Sequence, residues 1–237
     1  MTLTILESWR TLSVSARTLL LSLFAGLLLA DGIFLVLHTL RSGLGNTAYS
    51  GFLLDPRFSI EQDGGYSEFY EHLKVAGTVA ALGALYSYRR ALAFLSWGLV
   101  FTFVLLDNAF ELHERLGALF VSGVRAATLV GLRPQDVGEV AVWAVSGAAL
   151  LSLVALSYRE RASRAFTRHL LALFALLVAF GLGVDVLHSL GNARAPFLLG
   201  FIEDGGELVT LSLILSYVLF ALAVEKRQRA SGRTPGQ

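Results

Sequence analysis

Six apolar stretches divide this chain, each long enough to cross a lipid bilayer, and short polar clusters fall between them. They run from about Arg17 to Leu40, Glu71 to Tyr88, Ala91 to Leu116, Val137 to Tyr158, Arg168 to Leu190 and Ile202 to Val224. A helix needs about 20 residues to traverse a hydrocarbon layer about 30 Å thick. Without water, backbone groups must be satisfied within the segment, which selects helices. Charged residues make up 16% of the chain, against about 25% in soluble domains. The expectation is therefore an all-α membrane protein with six transmembrane helices. Residues 1–237 would form one transmembrane domain, with 227–237 a disordered tail. The second stretch is the least apolar, because Glu71, His72 and Lys74 stand at its start. Residues 1–16 read as a short interfacial helix with Trp9 and Arg10 at headgroup level. The first long apolar run exceeds a signal-peptide core, so no cleaved signal is expected.

The polar clusters resemble one another. Asp31–His38 (DGIFLVLH), Asp107–His113 (DNAFELH) and Asp185–His188 (DVLH) each close an apolar run. Each leads through a loop to a second acidic cluster: Glu61-Gln-Asp63-Gly-Gly with Glu68, Gln135-Asp136-Val-Gly-Glu139, and Glu203-Asp204-Gly-Gly-Glu207. His38, His113 and His188 each follow Leu and lie 75 residues apart. This period predicts three pseudo-repeated helical hairpins, over about 17–90, 91–160 and 167–226. The segments 31–77, 107–147 and 185–215 should then superpose.

Twelve Lys and Arg fall at one end of the six-span arrangement and seven at the other. The positive-inside rule places both termini in the cytoplasm of a cell that carries this protein in its inner membrane. Fifteen of the eighteen acidic residues, and every histidine but His169, then lie in the outer half or outer loops. That rule concerns Lys and Arg and leaves the acidic skew unexplained.

Depth makes the skew informative. At about 1.5 Å per residue, Asp31 lies roughly 20 Å into the first span, while Asp107 and Asp185 lie roughly 25 Å into theirs. An ionised carboxylate at such depth costs roughly 2.5–3.5 kcal/mol, so it should face the bundle interior. Asp107, Glu111 and Glu114 share one helical stripe, as do Asp31 and His38. The expected outer cavity gathers Asp31, His38, Glu68, Asp107, Glu111, His113, Glu139, Asp185, His188 and Glu207. Asp63, Asp136 and Asp204 read as N-caps of the helices they precede. Glu61, Glu71 and Glu203 read as solvated interface. The Gly-Gly pairs 64–65 and 205–206 read as loop-to-helix entries.

Histidine with carboxylates and without cysteine suits zinc, iron or manganese. The absence of cysteine also excludes disulfides and thiol catalysis. His38, His113, His188, Asp107, Glu111 and Asp185 are the candidate ligands, with Glu68, Glu139 or Glu207 as general base. A metal-bound water would then attack an ester, amide or phosphoester of a lipid-like substrate. The spacings of zinc-dependent membrane ceramidases, rhomboid proteases and b-type cytochromes are absent. A second class is a cation or proton transporter with Asp31 as the deepest relay. Almost wholly apolar inner halves (LLLSLFAGLLLA, ALLSLVAL, LLALFALLVAF) argue against a through-path. A third class is a structural or assembly subunit of the bilayer. No nucleic-acid partner is expected.

Overall fold

The computed structural model describes residues 5–44, 55–122, 134–160, 163–184 and 196–232. They form eight α-helices, and no strand occurs among the described residues. In chain order the helices are α1 (Ile5–Thr11), α2 (Val14–Leu44), α3 (Tyr66–Arg89), α4 (Leu92–Phe110), α5 (Leu112–Ser122), α6 (Pro134–Ser157), α7 (Arg164–Val178) and α8 (Pro196–Ala230). A π-helical turn, Ala179–Val184, extends α7.

Five segments are long and apolar enough to cross a membrane: Val14–Gly43, Leu92–Phe110, Val137–Ser157, Arg164–Gly183 and Phe197–Ala230. The chain is a multi-pass membrane protein. Lipid explains the surface of α2, whose Leu19, Leu29, Ile33 and Val36 are exposed. The second expected span, within α3, does not meet that apolar standard. It is nevertheless a 24-residue helix, and it packs between α4 and α8. Its buried residues include Ser67, Lys74 and Thr78. Neighbouring helices shield these polar groups, so α3 needs less apolarity than a lipid-facing helix.

α8 is the other central element, touching α2, α3, α7 and the π turn. Trp97 and Phe101 of α4, Phe166 and Phe174 of α7, and Ile214 and Val218 of α8 close the core between them. Trp97 and Phe174 meet edge-on at 5.7 Å, a favoured aromatic geometry. α5 lies against α6 where Gly117 meets Gly138. A Cβ on Gly117 would come within 2.8 Å of the Glu139 backbone nitrogen. Small residues at such crossings let membrane helices approach closely.

Three local expectations change. The stripe through Asp107, Glu111 and Glu114 presumes one continuous helix. Instead α4 ends at Phe110, and Glu111 takes a left-handed conformation, φ 51°, donating its N–H to the Asp107 carbonyl. α5 then starts a new helix, and His113 lies beyond the span. The caps differ as well. α3 is entered at Gly65 without a side-chain cap, and Glu68 reaches back to accept the Gly64 N–H. Asp136 and Asp204 fall inside α6 and α8, not before them.

The Gly205-Gly206 pair is likewise no loop entry, because α8 begins nine residues earlier, at Pro196. It forms a notch in mid-helix. A Cβ on Gly206 would strike the Phe180 ring, and one on Gly205 would come within 2.9 Å of Leu35. A threefold repeat is not shown: α2 lies mainly on α8, whereas α4 packs on α3 and α6. Residues 185–195, with Asp185 and His188, lie outside the described residues.

Candidate functional site

The deepest charge is paired. Asp31 and Lys74 are both buried, with Lys74 Nζ 3.1 Å from Asp31 Oδ1. Lys74 also donates to the Leu208 carbonyl at 2.6 Å and to Ser212 Oγ at 3.4 Å. Its ammonium sits 4.4 Å from the centre of the Tyr70 ring, a cation–π contact. Three helices thus meet at one cation: α2 through Asp31, α3 through Lys74 and Tyr70, and α8 through Leu208 and Ser212. A lone carboxylate here would be too costly to keep ionised; the ammonium and its neighbours offset that cost. The expected outer cavity includes Asp31; the structure instead places it below, on Lys74.

Directly above the pair, α3 carries Glu71 one turn before Lys74, and α8 carries Glu207 immediately before Leu208. Both line a vestibule of two adjoining chambers, of about 520 and 950 Å³. Six residues are common to both chambers: Asp63, Asn108, His113, Glu114, Glu203 and Glu207. Glu139 and Trp143 belong to the smaller chamber, and Glu61, Glu68, Glu71, His72, Glu111 and Asp204 to the larger. Among the described residues, ten carboxylates line the two chambers and no Lys or Arg does.

Of the expected site residues, the vestibule gathers Glu68, Glu111, His113, Glu139 and Glu207. It does not include Asp31, His38 or Asp107. Asp107 is wholly buried and holds His113 twice, accepting the backbone N–H at 2.8 Å and approaching ring Nδ1 at 2.9 Å. This bond raises the His113 pKa above its usual value against the opposing effect of burial, with the charges of Asp107, Glu114 and Glu139 adding to the rise. The ring also leans on Trp143, centroids 6.0 Å apart.

His38 is buried behind the vestibule wall. It stacks on Phe197 at 5.2 Å and meets Ser59 Oγ at 3.1 Å through Nδ1. Its Nε2 has no hydrogen-bond partner among the described residues, and the Glu61 carboxylate stands 3.9 Å away. Asp185 and His188 lie outside the described residues. The candidate metal ligands that are described thus divide between vestibule and protein interior. Among the described residues, no group of three or more His, Asp or Glu side chains is placed to hold a metal ion.

The sequence reading missed Lys74 as the partner of Asp31, and also Asn108, His72 and Trp143 as lining. It set Glu61, Glu71 and Glu203 aside as solvated interface, and Asp63 and Asp204 as caps, yet all five line the vestibule. The available signal was on α3, where Glu68, Glu71, His72 and Lys74 crowd one end of a long helix. A helix that keeps such residues must shelter them from lipid.

Polar groups also continue below the ion pair. Ser212 and Thr210 of α8 and Thr167 of α7 are buried. The hydroxyls of Thr167 and Ser216 are out of solvent with no hydrogen bond among the described residues. Beside them, Tyr217 Oη lies 3.3 Å from His169 Nδ1. The apolar inner halves read from α2, α6 and α7 are real, but the central helix α8 interrupts them. At the opposite end, Arg89 pairs with Glu225 and bonds Gln228 at 3.1 Å, tying α3 to α8.

No curated protein and no solved structure matches the chain. The family model described as a domain of unknown function, DUF8692, matches residues 67–221. That span runs from the first turn of α3 into α8 and takes in Glu68, Glu71, Lys74, Glu139 and Glu207; Asp31 and His38 lie before it. Since the match covers more than half of the chain, this protein belongs to the DUF8692 family.

Proposed function

We propose that this chain is a cation transporter whose loading site is the acidic vestibule. Beneath that site, the Asp31–Lys74 pair links cation movement to proton movement. The single observation that carries the reading is the position of a buried ion pair beneath chambers that, among the described residues, are lined by ten carboxylates and no Lys or Arg. A cleft lined by one sign of charge concentrates the opposite ion. An intramembrane ion pair is expensive to keep, which favours a functional role over a purely structural one. The hydroxyls of Ser212, Ser216 and Tyr217 on α8, with His169 and then Thr167 on α7, support a continuation toward the far end.

In this reading α3 is the sixth crossing. Its 24 residues reach roughly 36 Å at about 1.5 Å each. Both termini then lie in the cytoplasm and the vestibule opens on the extracytoplasmic side of the inner membrane, supported by the twelve-to-seven division of basic residues.

Uptake of radiolabelled sodium or rubidium, or of a labelled organic ammonium, into proteoliposomes of the full-length chain tests the proposal. Uptake above that of empty liposomes, falling at least about tenfold in Glu207→Gln, a loss of roughly 1.4 kcal/mol or more, is expected. Background uptake of every cation in the panel overturns it.

The metallohydrolase reading keeps one support: Glu68, Glu139 and Glu207 stand in the same vestibule as His113. It requires bound zinc, iron or manganese. Elemental analysis of the purified protein and a metal-dependent rise in melting temperature test it. Metal-free protein with no such rise removes it.

A further inference from the structure

The two chambers differ in chemistry, although they share a rim. The larger is lined by nine carboxylates with His72 and His113, and its apolar side chains are Ile60, Ala109 and Phe197. The smaller, of about 520 Å³, has an apolar wall from Val104, Trp143, Phe174 and Leu211, facing Glu114, Glu139 and Glu207. Its volume lies within the usual range for small-molecule pockets, roughly 300–1,000 Å³.

An inorganic cation is a poor match for this half-apolar space. It surrenders its hydration only to several oxygen ligands placed around it. No such group of side chains converges among the described residues. A neutral apolar molecule is a poor match as well, because it would strip water from the carboxylates and return nothing. A cation attached to a hydrocarbon body satisfies both walls. Its body can lie on Trp143, Phe174 and Leu211, and its charge can face the carboxylates. Trp143 has the best aromatic face for a cation, and the contact of its ring with Phe103, centroids 6.0 Å apart and planes at 89°, fixes its orientation.

Glu207 sits where the two chambers join. It makes no hydrogen bond among the described residues and presses on Gly181, where a Cβ would collide with its carboxylate. Gly181 belongs to the π-helical turn. Such turns arise mostly as single insertions in helices and frequently at functional sites. The backbone here has made room for the carboxylate where the two chambers join.

We infer that the smaller chamber is a binding site for an organic ammonium ion with an apolar body, held by Glu207 and Trp143. This rests on the cation-transporter reading and adds the class of cation. The test is equilibrium binding of benzyltrimethylammonium to the full-length detergent-solubilised chain, followed by tryptophan fluorescence and by melting temperature. Neopentylbenzene, its neutral isostere, serves as the comparison.

Saturable binding is expected for the ammonium and not for the isostere. Glu207→Gln should weaken it about tenfold or more, in line with the loss of a charge-assisted contact. Trp143→Leu should weaken it by about 2- to 30-fold, the range of a cation–π contact. If Glu207→Gln fails to fold, Glu139→Gln and Trp143→Leu carry the same comparison. Absence of saturable binding, equal binding of the isostere, or unchanged affinity in folded Glu207→Gln and Trp143→Leu overturns the inference. Uptake of sodium or rubidium by a chain that does not bind the ammonium leaves the transporter standing and removes this inference alone. Failure of both removes both.

Discussion

Lys74 and His113 show how single side chains set the electrostatics of this protein. Lys74 satisfies Asp31 inside the bundle, so losing either partner leaves a buried charge uncompensated. Lys74→Met should destabilise the protein by about 3–5 kcal/mol. The double change Lys74→Met with Asp31→Asn should recover most of that loss, because two neutral groups replace a broken pair. Denaturant unfolding of the three variants checks this; an equally unstable double variant would show that Lys74 acts through packing alone.

His113 behaves in the opposite sense from a buried neutral histidine. Its bond to Asp107 favours the charged ring and raises its pKa. The stabilisation is fully present below the unfolded histidine pKa of about 6.5. It is lost as pH rises through the higher folded value. Melting temperature should therefore fall with rising pH across that window in the wild type. In His113→Gln this part of the slope should be missing, and an unchanged slope would count against the pair.

Helices in this chain are governed by where glycine and polar residues meet other helices. Gly206→Ala should destabilise by about 1–3 kcal/mol through overpacking against Phe180. Gly26→Ala on α2 should be neutral or slightly stabilising, since nothing lies within 4 Å of its added Cβ. Adding Phe180→Ala to Gly206→Ala should restore part of the loss, as measured by unfolding. Existence and type of the long helices were legible in the apolar stretches, because length and hydropathy are properties of a segment alone. The ends were not. The periodicity of α4 runs on past Phe110, and nothing local marks Glu111 for a left-handed turn. Asp204 resembles a cap only if α8 starts near Ile202, and Pro196 starts it earlier.

For the whole molecule, the acidic skew of the sequence pointed to one end of the bundle, and the vestibule lies there. Its membership was only partly legible. Glu68, Glu111, His113, Glu139 and Glu207 announce themselves by helical spacing and by the repeated acidic clusters. Asp31 and Lys74 are 43 residues apart in sequence, and only the placement of α2 and α3 around α8 joins them. His38 and Asp107 carry the same residue types as the lining, yet their side chains are taken up by Ser59 and His113. In the proposed transporter the ion pair links the vestibule to the polar groups beyond it. Proteoliposomes loaded with a pH-sensitive dye measure that link directly. Adding a transported cation outside should drive a proton flux through the wild type and none through folded Asp31→Asn, while cation binding in the vestibule persists. A proton flux in Asp31→Asn equal to the wild type would contradict it.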